Sequence, residues 1–192
     1  GALLERVAAA LQGGARVLQY RDKSSDAARR REQAAALAQL CHASKAALII
    51  NDDVALALAI GADGVHLGED DGDIAAARSA LGPNRLLGAS CYNQIDLAQK
   101  ALALGADHIA FGSVFASPTK PGARRAPLAL FAEARRTFDA PIVAIGGISV
   151  ANAKEVITAG AHAIAVISDL FDAPQIDSQA RQFAALFDSP GR

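Results

Sequence analysis

Residues 47–71 read ALIINDDVALALAIGADGVHLGEDD. Leu48, Ile49 and Ile50 form a short apolar run, the mark of a strand buried on both faces. The run stops at Asn51-Asp52-Asp53, and a helical segment with Val54, Leu56, Leu58 and Ile60 follows, closed by Gly61. Gly64-Val65-His66-Leu67 reads as the next strand and ends in Gly68-Glu69-Asp70-Asp71. Two successive strands therefore finish in acids. In a parallel α/β fold those ends share one face, and that face carries the chemistry.

The same grammar extends along the chain. Gly14-Ala15-Arg16-Val17, Gly61-Ala62-Asp63-Gly64, Gly105-Ala106-Asp107-His108 and Gly160-Ala161-His162-Ala163 each end a helix and open a strand. One further strand lies between successive copies, which makes strands near residues 17, 47, 65, 86, 108, 141 and 164. Among them, the pattern predicts strands over residues 108–114 and 163–167, helices capped by Ser24 or Ser25 and starting near residue 178, and a loop over 115–127 rich in Pro, Gly and basic residues. Regular alternation of strand and helix means a parallel sheet. A (β/α)8 TIM barrel needs eight strands. The chain opens in a helix, so the expectation is a single barrel domain over 1–192 with its first strand absent, the gap lying between the strands near 17 and 164. An open doubly wound sheet is the competing fold, and no GxGxxG follows the first strand to support it.

Nineteen Lys and Arg against 20 acids leave a net charge of −1, which argues against nucleic-acid or membrane-surface partners. No apolar run is long enough to span a bilayer, and no signal peptide is visible. Cys41 falls in a helix and Cys91 at a strand end, so reduced thiols in a cytoplasmic protein are expected in place of a disulfide. Arg29-Arg30-Arg31 cannot share one helix face and reads as solvated surface. The composition leaves monomer and homo-oligomer both open.

The residues after each strand sort by chemistry. Arg21, Lys23 and Lys120 are cations, Asp52 and Asp71 are carboxylates from neighbouring strands, and Asn51, Ser90, Ser117 and Thr119 are neutral hydrogen bonders. Cations facing carboxylates suit a divalent metal that carries a polyphosphate. Within each acid cluster, capping the following helix competes with metal binding. The placement on adjacent strand tips favours metal for one member of each. Gly146-Gly147 before a helix, together with Ile167-Ser168, suits a phosphomonoester held by backbone N–H groups. Tyr20 and Tyr92 lie near the mouth. His42, His66, His108 and His162 all lie away from strand ends and read as packing or surface residues.

Gln19-Tyr20-Arg21-Asp22-Lys23, Ile50-Asn51-Asp52-Asp53, His66-Leu67-Gly68-Glu69-Asp70-Asp71, Gly88-Ala89-Ser90, Ser117-Pro118-Thr119-Lys120-Pro121, Ala144-Ile145-Gly146-Gly147-Ile148 and Val166-Ile167-Ser168 occur in that order. With them the chain resembles the thiamine-phosphate synthase family over nearly its whole length. The resemblance implies a barrel transferase of thiamine biosynthesis. Its two small-molecule substrates would be hydroxymethylpyrimidine diphosphate and hydroxyethylthiazole phosphate, condensed to thiamine phosphate and diphosphate. It further implies that Gln19, Tyr20, Arg21, Asp22, Lys23, Asn51, Ser90 and Lys120 hold the pyrimidine diphosphate, with Arg21 and Lys120 catalytic. Asp52 and Asp71 would bind Mg²⁺, and Ser117, Pro118, Thr119, Gly147, Ile167 and Ser168 would hold the thiazole phosphate. The implied mechanism is dissociative, through a pyrimidine-methyl cation. Two positions depart from the family pattern: Glu69 stands where Gln is frequent, and Tyr92 where His is frequent. A thiazole tautomerase-like barrel relies on that histidine, so Tyr92 counts against it. A non-catalytic binder of thiamine intermediates would be expected to lack a metal carboxylate or Lys120.

Overall fold

The computed structural model describes residues 1–69, 71–116 and 124–188. In chain order the elements are α1 (Ala2–Gln12), β1 (Val17–Tyr20), α2 (Ala27–Ala43), β2 (Ala47–Asn51), α3 (Val54–Ile60), β3 (Gly64–Leu67), α4 (Ile74–Leu81), β4 (Leu86–Tyr92), α5 (Ile95–Ala103), β5 (His108–Phe111), α6 (Leu128–Thr137), β6 (Ile142–Ile145), α7 (Val150–Ala159), β7 (Ala163–Ala165), α8 (Ser168–Phe171) and α9 (Ile176–Ala185). Among the described residues seven strands form one sheet in the order β1 to β7, and every pairing is parallel. The sheet curls through 261° without closing. Its open side lies between β1 and β7, where the eighth strand of a barrel is expected. Helices α1 and α9 pack against each other, and a Cβ on Gly13, just after α1, would stand 2.4 Å from Ala180 Cβ.

Strand alternation decides which side chains reach the interior. Leu48 and Ile50 on β2, Val65 and Leu67 on β3, and Leu87 on β4 pack outward in one cluster with Leu37, Ala57 and Ala77 of the helices. A one-residue slip would turn Leu48 and Ile50 inward, at roughly 1.5–3 kcal/mol each. Their alternates Ile49, Asn51, His66, Gly88, Ser90 and His108 therefore face the barrel interior. A second cluster, around Phe111, Phe131, Ile142 and Val156, does the same work for the later strands.

The Gly-Ala repeat has a physical basis. Its third residue reaches back to the preceding strand and accepts a backbone N–H there. Asp63 accepts from Leu48 at 2.7 Å, Asp107 from Leu87 at 2.7 Å, and His162 Nδ1 from Ile142 at 3.0 Å. Three copies of one motif thus tie β3 to β2, β5 to β4 and β7 to β6.

The structure moves several expected boundaries. Asp26, not Ser24 or Ser25, caps α2 by accepting the Arg29 N–H at 2.9 Å. Strand β5 ends at Phe111, because Ser113 pairs with Arg124 and Ala126 while Val114 and Phe115 pair with Ile145 and Gly146. The β7 strand ends at Ala165, and α8 occupies residues 168–171. The last helix starts at Ile176. Arg29 and Arg30 are not merely solvated: Arg29 pairs with Asp22 at 3.2 Å and Arg30 with Asp53 at 2.6 Å. Both cysteines are buried and free, and burial pushes the Cys41 thiol up to about 11 and the Cys91 thiol up to about 12. Among the described residues no helix is long and apolar enough to cross a membrane.

Candidate active site

The carboxyl ends of β1 to β4 enclose a cleft of about 240 Å³ lined by Arg21, Lys23, Asn51, Gly68, Glu69, Asp71, Ser90 and Tyr92. Drug-sized pockets start near roughly 300 Å³, so this cleft suits one substituted ring. The structure brings five of the expected residues together here: Arg21, Lys23, Asn51, Asp71 and Ser90.

Each acid cluster divides its labour. Asp53 caps α3 by accepting the Leu56 N–H at 2.8 Å, and Asp73 caps α4 by accepting the Ala76 N–H at 2.8 Å. That leaves Asp52 and Asp71 for the mouth. The Lys23 ammonium hydrogen-bonds Asp52 and lies 3.6 Å from Asp71. Its pKa is raised, first by the Asp52 hydrogen bond. A cation therefore already stands at a point both carboxylates reach. Asp71 is held from behind, its other oxygen accepting the Gly68 N–H at 2.9 Å. Asp70 lies outside the described residues.

Two mouth residues adopt left-handed backbone. Asp52 has φ 56° and Tyr92 φ 53°. Aspartate visits this region more readily than most residues, and here the Asp52 N–H donates to the His66 carbonyl at 2.9 Å. Tyr92 follows a register shift in β4 between Ser90 and Tyr92. Such a bulge re-aims a side chain, and the Tyr92 ring lines the cleft.

Tyr20 and Asp22 turn elsewhere. Tyr20 is buried in the outer core cluster and donates to Gln33 Oε1 at 2.9 Å. Its phenol pKa is raised by burial and by the charge of Asp22. Asp22 accepts the Ser24 N–H at 2.8 Å, which holds its carboxyl below the usual range, and pairs with Arg29. Both brace the segment that carries Arg21 and Lys23. Gln19 is exposed on β1.

Gly147 and Ile167-Ser168 lie apart from this cleft, at the tips of β6 and β7. Gly147 has φ 64°, and a Cβ there would stand 2.6 Å from the Ala116 carbonyl, so this turn admits only glycine. Asp169 links the two tips by accepting the Val150 N–H at 3.1 Å and the Gln179 amide at 2.7 Å. Ser117, Pro118, Thr119 and Lys120 lie outside the described residues.

The profile of the thiamine monophosphate synthase family matches residues 1–170. The chain belongs to that family. It is 60% identical over 185 residues to the thiamine-phosphate synthase of Chromobacterium violaceum, covering 96% of this chain and 89% of that protein. The thiamine-phosphate synthase of Thioalkalivibrio sulfidiphilus is 54% identical over 186 residues, covering 97% and 88%. Among solved structures, thiamine phosphate pyrophosphorylase from Pyrococcus furiosus superposes with a TM-score of 0.89 at 35% identity, covering 96% of this chain and 89% of that one. The family's enzymatic character accounts for a polar cleft at the strand tips.

Two contacts at the site go beyond the sequence reading. His66 reaches Ser90 from beneath, at 2.9 Å between Nε2 and Oγ. Asp169 follows Ser168 but has no strand-end position of its own. His66 was legible only as a strand residue, since its contact depends on β3–β4 register.

Proposed function

We propose that the protein is a transferase of thiamine biosynthesis that joins hydroxymethylpyrimidine diphosphate to hydroxyethylthiazole phosphate, yielding thiamine phosphate and diphosphate. One observation carries the reading: Arg21, Lys23, Asn51, Asp71 and Ser90 converge on one cleft in a chain of this family. The cleft pairs phosphate-binding cations with neutral hydrogen bonders sized for one heterocycle. The chain is read as one barrel domain over 1–192; the support is that both core clusters include Ala15, Ile74 and Phe171. A cytoplasmic setting is part of the proposal, supported by the buried free thiols.

Arg21 and Lys23 bind the diphosphate; the guanidinium fork and the ammonium match its charge. Asn51 and Ser90 fix the pyrimidine ring by hydrogen bonds, and Tyr92 offers a face for stacking. Asp52 and Asp71 would hold Mg²⁺. The support is that both acids already bracket one cation, the Lys23 ammonium. Among the described residues no group of three or more His, Cys, Asp or Glu could hold a metal, and Mg²⁺ needs only one or two carboxylates beside phosphate oxygens. When bound, the ion supplies charge neutralisation to the diphosphate. The C–O bond to diphosphate breaks first, and the thiazole nitrogen then forms the new C–N bond to the pyrimidine-methyl cation. Lys120 would meet charge building on the leaving diphosphate. Gly147, Ile167 and Ser168 would hold the thiazole phosphate through backbone N–H groups.

The test is direct. Purified protein given both substrates and Mg²⁺ should form thiamine phosphate, and omission of either substrate should abolish it. No product, or rearrangement of a thiazole substrate alone, would overturn the reading.

A further inference from the structure

Strands β2 to β5 align Asn51, His66, Gly88 and His108 in one interior row. Ser90 stands one interior step above this row, on the cleft. His66 is only 8% exposed. Its ring lies 5.8 Å from that of His108. The two rings meet over Gly88: a Cβ there would stand 2.1 Å from His108 Nε2 and 2.5 Å from His66 Nδ1. The missing side chain makes the room that both rings occupy.

A barrel interior filled for stability alone would use apolar side chains, because a buried polar group left unsatisfied costs roughly 1–3 kcal/mol. Here His66 sits beneath the Ser90 hydroxyl that lines the cleft, with His108 beside it. A serine hydroxyl on an open cleft rotates among its staggered positions. A partner below removes that freedom.

We propose that His66 is a positioning residue, which through its Nε2 hydrogen bond fixes the Ser90 hydroxyl toward the pyrimidine substrate while Gly88 and His108 hold its ring. The role rests on the pyrimidine diphosphate site proposed above. Burial, then the neighbouring His108, lowers the His66 pKa to about 4. The ring is neutral at neutral pH and adds no positive charge under a site where a cation forms.

The experiment compares His66→Leu, His66→Gln, Ser90→Ala and the double variant His66→Leu/Ser90→Ala. Glutamine puts an amide near the Nε2 position and keeps the bond. His66→Leu should lower kcat/KM for the pyrimidine diphosphate about tenfold, the size of one well-placed hydrogen bond, while His66→Gln should stay within about threefold. In the Ser90→Ala background the leucine change should cost less than about twofold, since its target is gone. An undiminished cost in that background would mean that His66 acts as core alone, and would overturn the proposal. Crystal structures of the variants keep the question separate from the reaction itself. Ser90 should occupy one rotamer in the parent and His66→Gln proteins and several in His66→Leu. A single unchanged rotamer in His66→Leu would overturn the positioning role even if the parent protein made no thiamine phosphate.

Discussion

The two halves of the mouth are built from different materials. At the tips of β1 to β4 the chemistry is in side chains: Arg21, Lys23, Asn51, Asp71, Ser90 and Tyr92 around one cleft. At the tips of β6 and β7 the proposed phosphate contacts would come from the backbone, in the Gly146-Gly147 turn before α7 and in the segment at Ile167-Ser168. In the proposed reaction the difference would match the charges to be held. A diphosphate in transit needs strong, adjustable cations, whereas a phosphomonoester that stays attached can rest on fixed N–H groups. The first half should therefore respond to metal and to charge changes, and the second to changes in backbone shape.

Removing a carboxylate from the first half should have the largest effect. Asp52→Asn and Asp71→Asn should each reduce Mg²⁺-dependent turnover on the order of a hundredfold or more, with the melting temperature held. Steady-state rates over a Mg²⁺ series check this, and unchanged Mg²⁺ dependence in both variants would remove the metal from this half. Lys120→Ala comes next. Its contact with the leaving group should appear mainly in kcat, by about a hundredfold, and a kcat within about twofold of the parent would make Lys120 a bystander.

The floor beneath the first half should be visible in the pH dependence of stability. Unfolded His66 takes up a proton below about pH 6.5, whereas folded His66 does so only near 4. Between those values the unfolded chain binds more protons, so stability falls as pH falls, by about 3 kcal/mol for His66 in all. Burial lowers His108 in the same direction. Urea unfolding of the parent and His66→Gln proteins from pH 7 to pH 4 should show the gap between them shrinking on acidification, and parallel curves would contradict the buried neutral ring. In the second half, Gly147→Ala forces a side chain into a left-handed turn against the Ala116 carbonyl. It should cost about 2 kcal/mol of stability and raise KM for the thiazole phosphate while leaving KM for the pyrimidine diphosphate alone.

The same contrast explains what the sequence could convey. Strand tips that carry charged side chains were readable at once, and Arg21, Lys23, Asn51, Asp71 and Ser90 meet in space as their positions suggested. The residues alone leave open which of Asp52 and Asp53 caps α3, the resemblance favours Asp52 for the metal, and the geometry shows Asp53 as the cap. Tyr20 and Asp22 share a motif with Arg21 and Lys23, yet strand alternation turns Tyr20 into the core, and Asp22, past the end of β1, bonds within its own turn. Helix α8 is four residues long, too short for a periodic pattern, so the sequence shows a strand running to residue 167 and no helix directly after it. The contact between His66 and Ser90 depends on the stagger of β3 against β4, which no single strand discloses.

The claim that one half relies on metal and side chains while the other relies on backbone can be tested in a single binding measurement. Calorimetric titration of the parent protein with each substrate alone, with and without Mg²⁺, separates the halves. Mg²⁺ should tighten the pyrimidine diphosphate at least about tenfold and leave the thiazole phosphate unchanged, and Asp52→Asn should abolish the tightening. Equal sensitivity of both substrates to Mg²⁺, or none for either, would contradict the division.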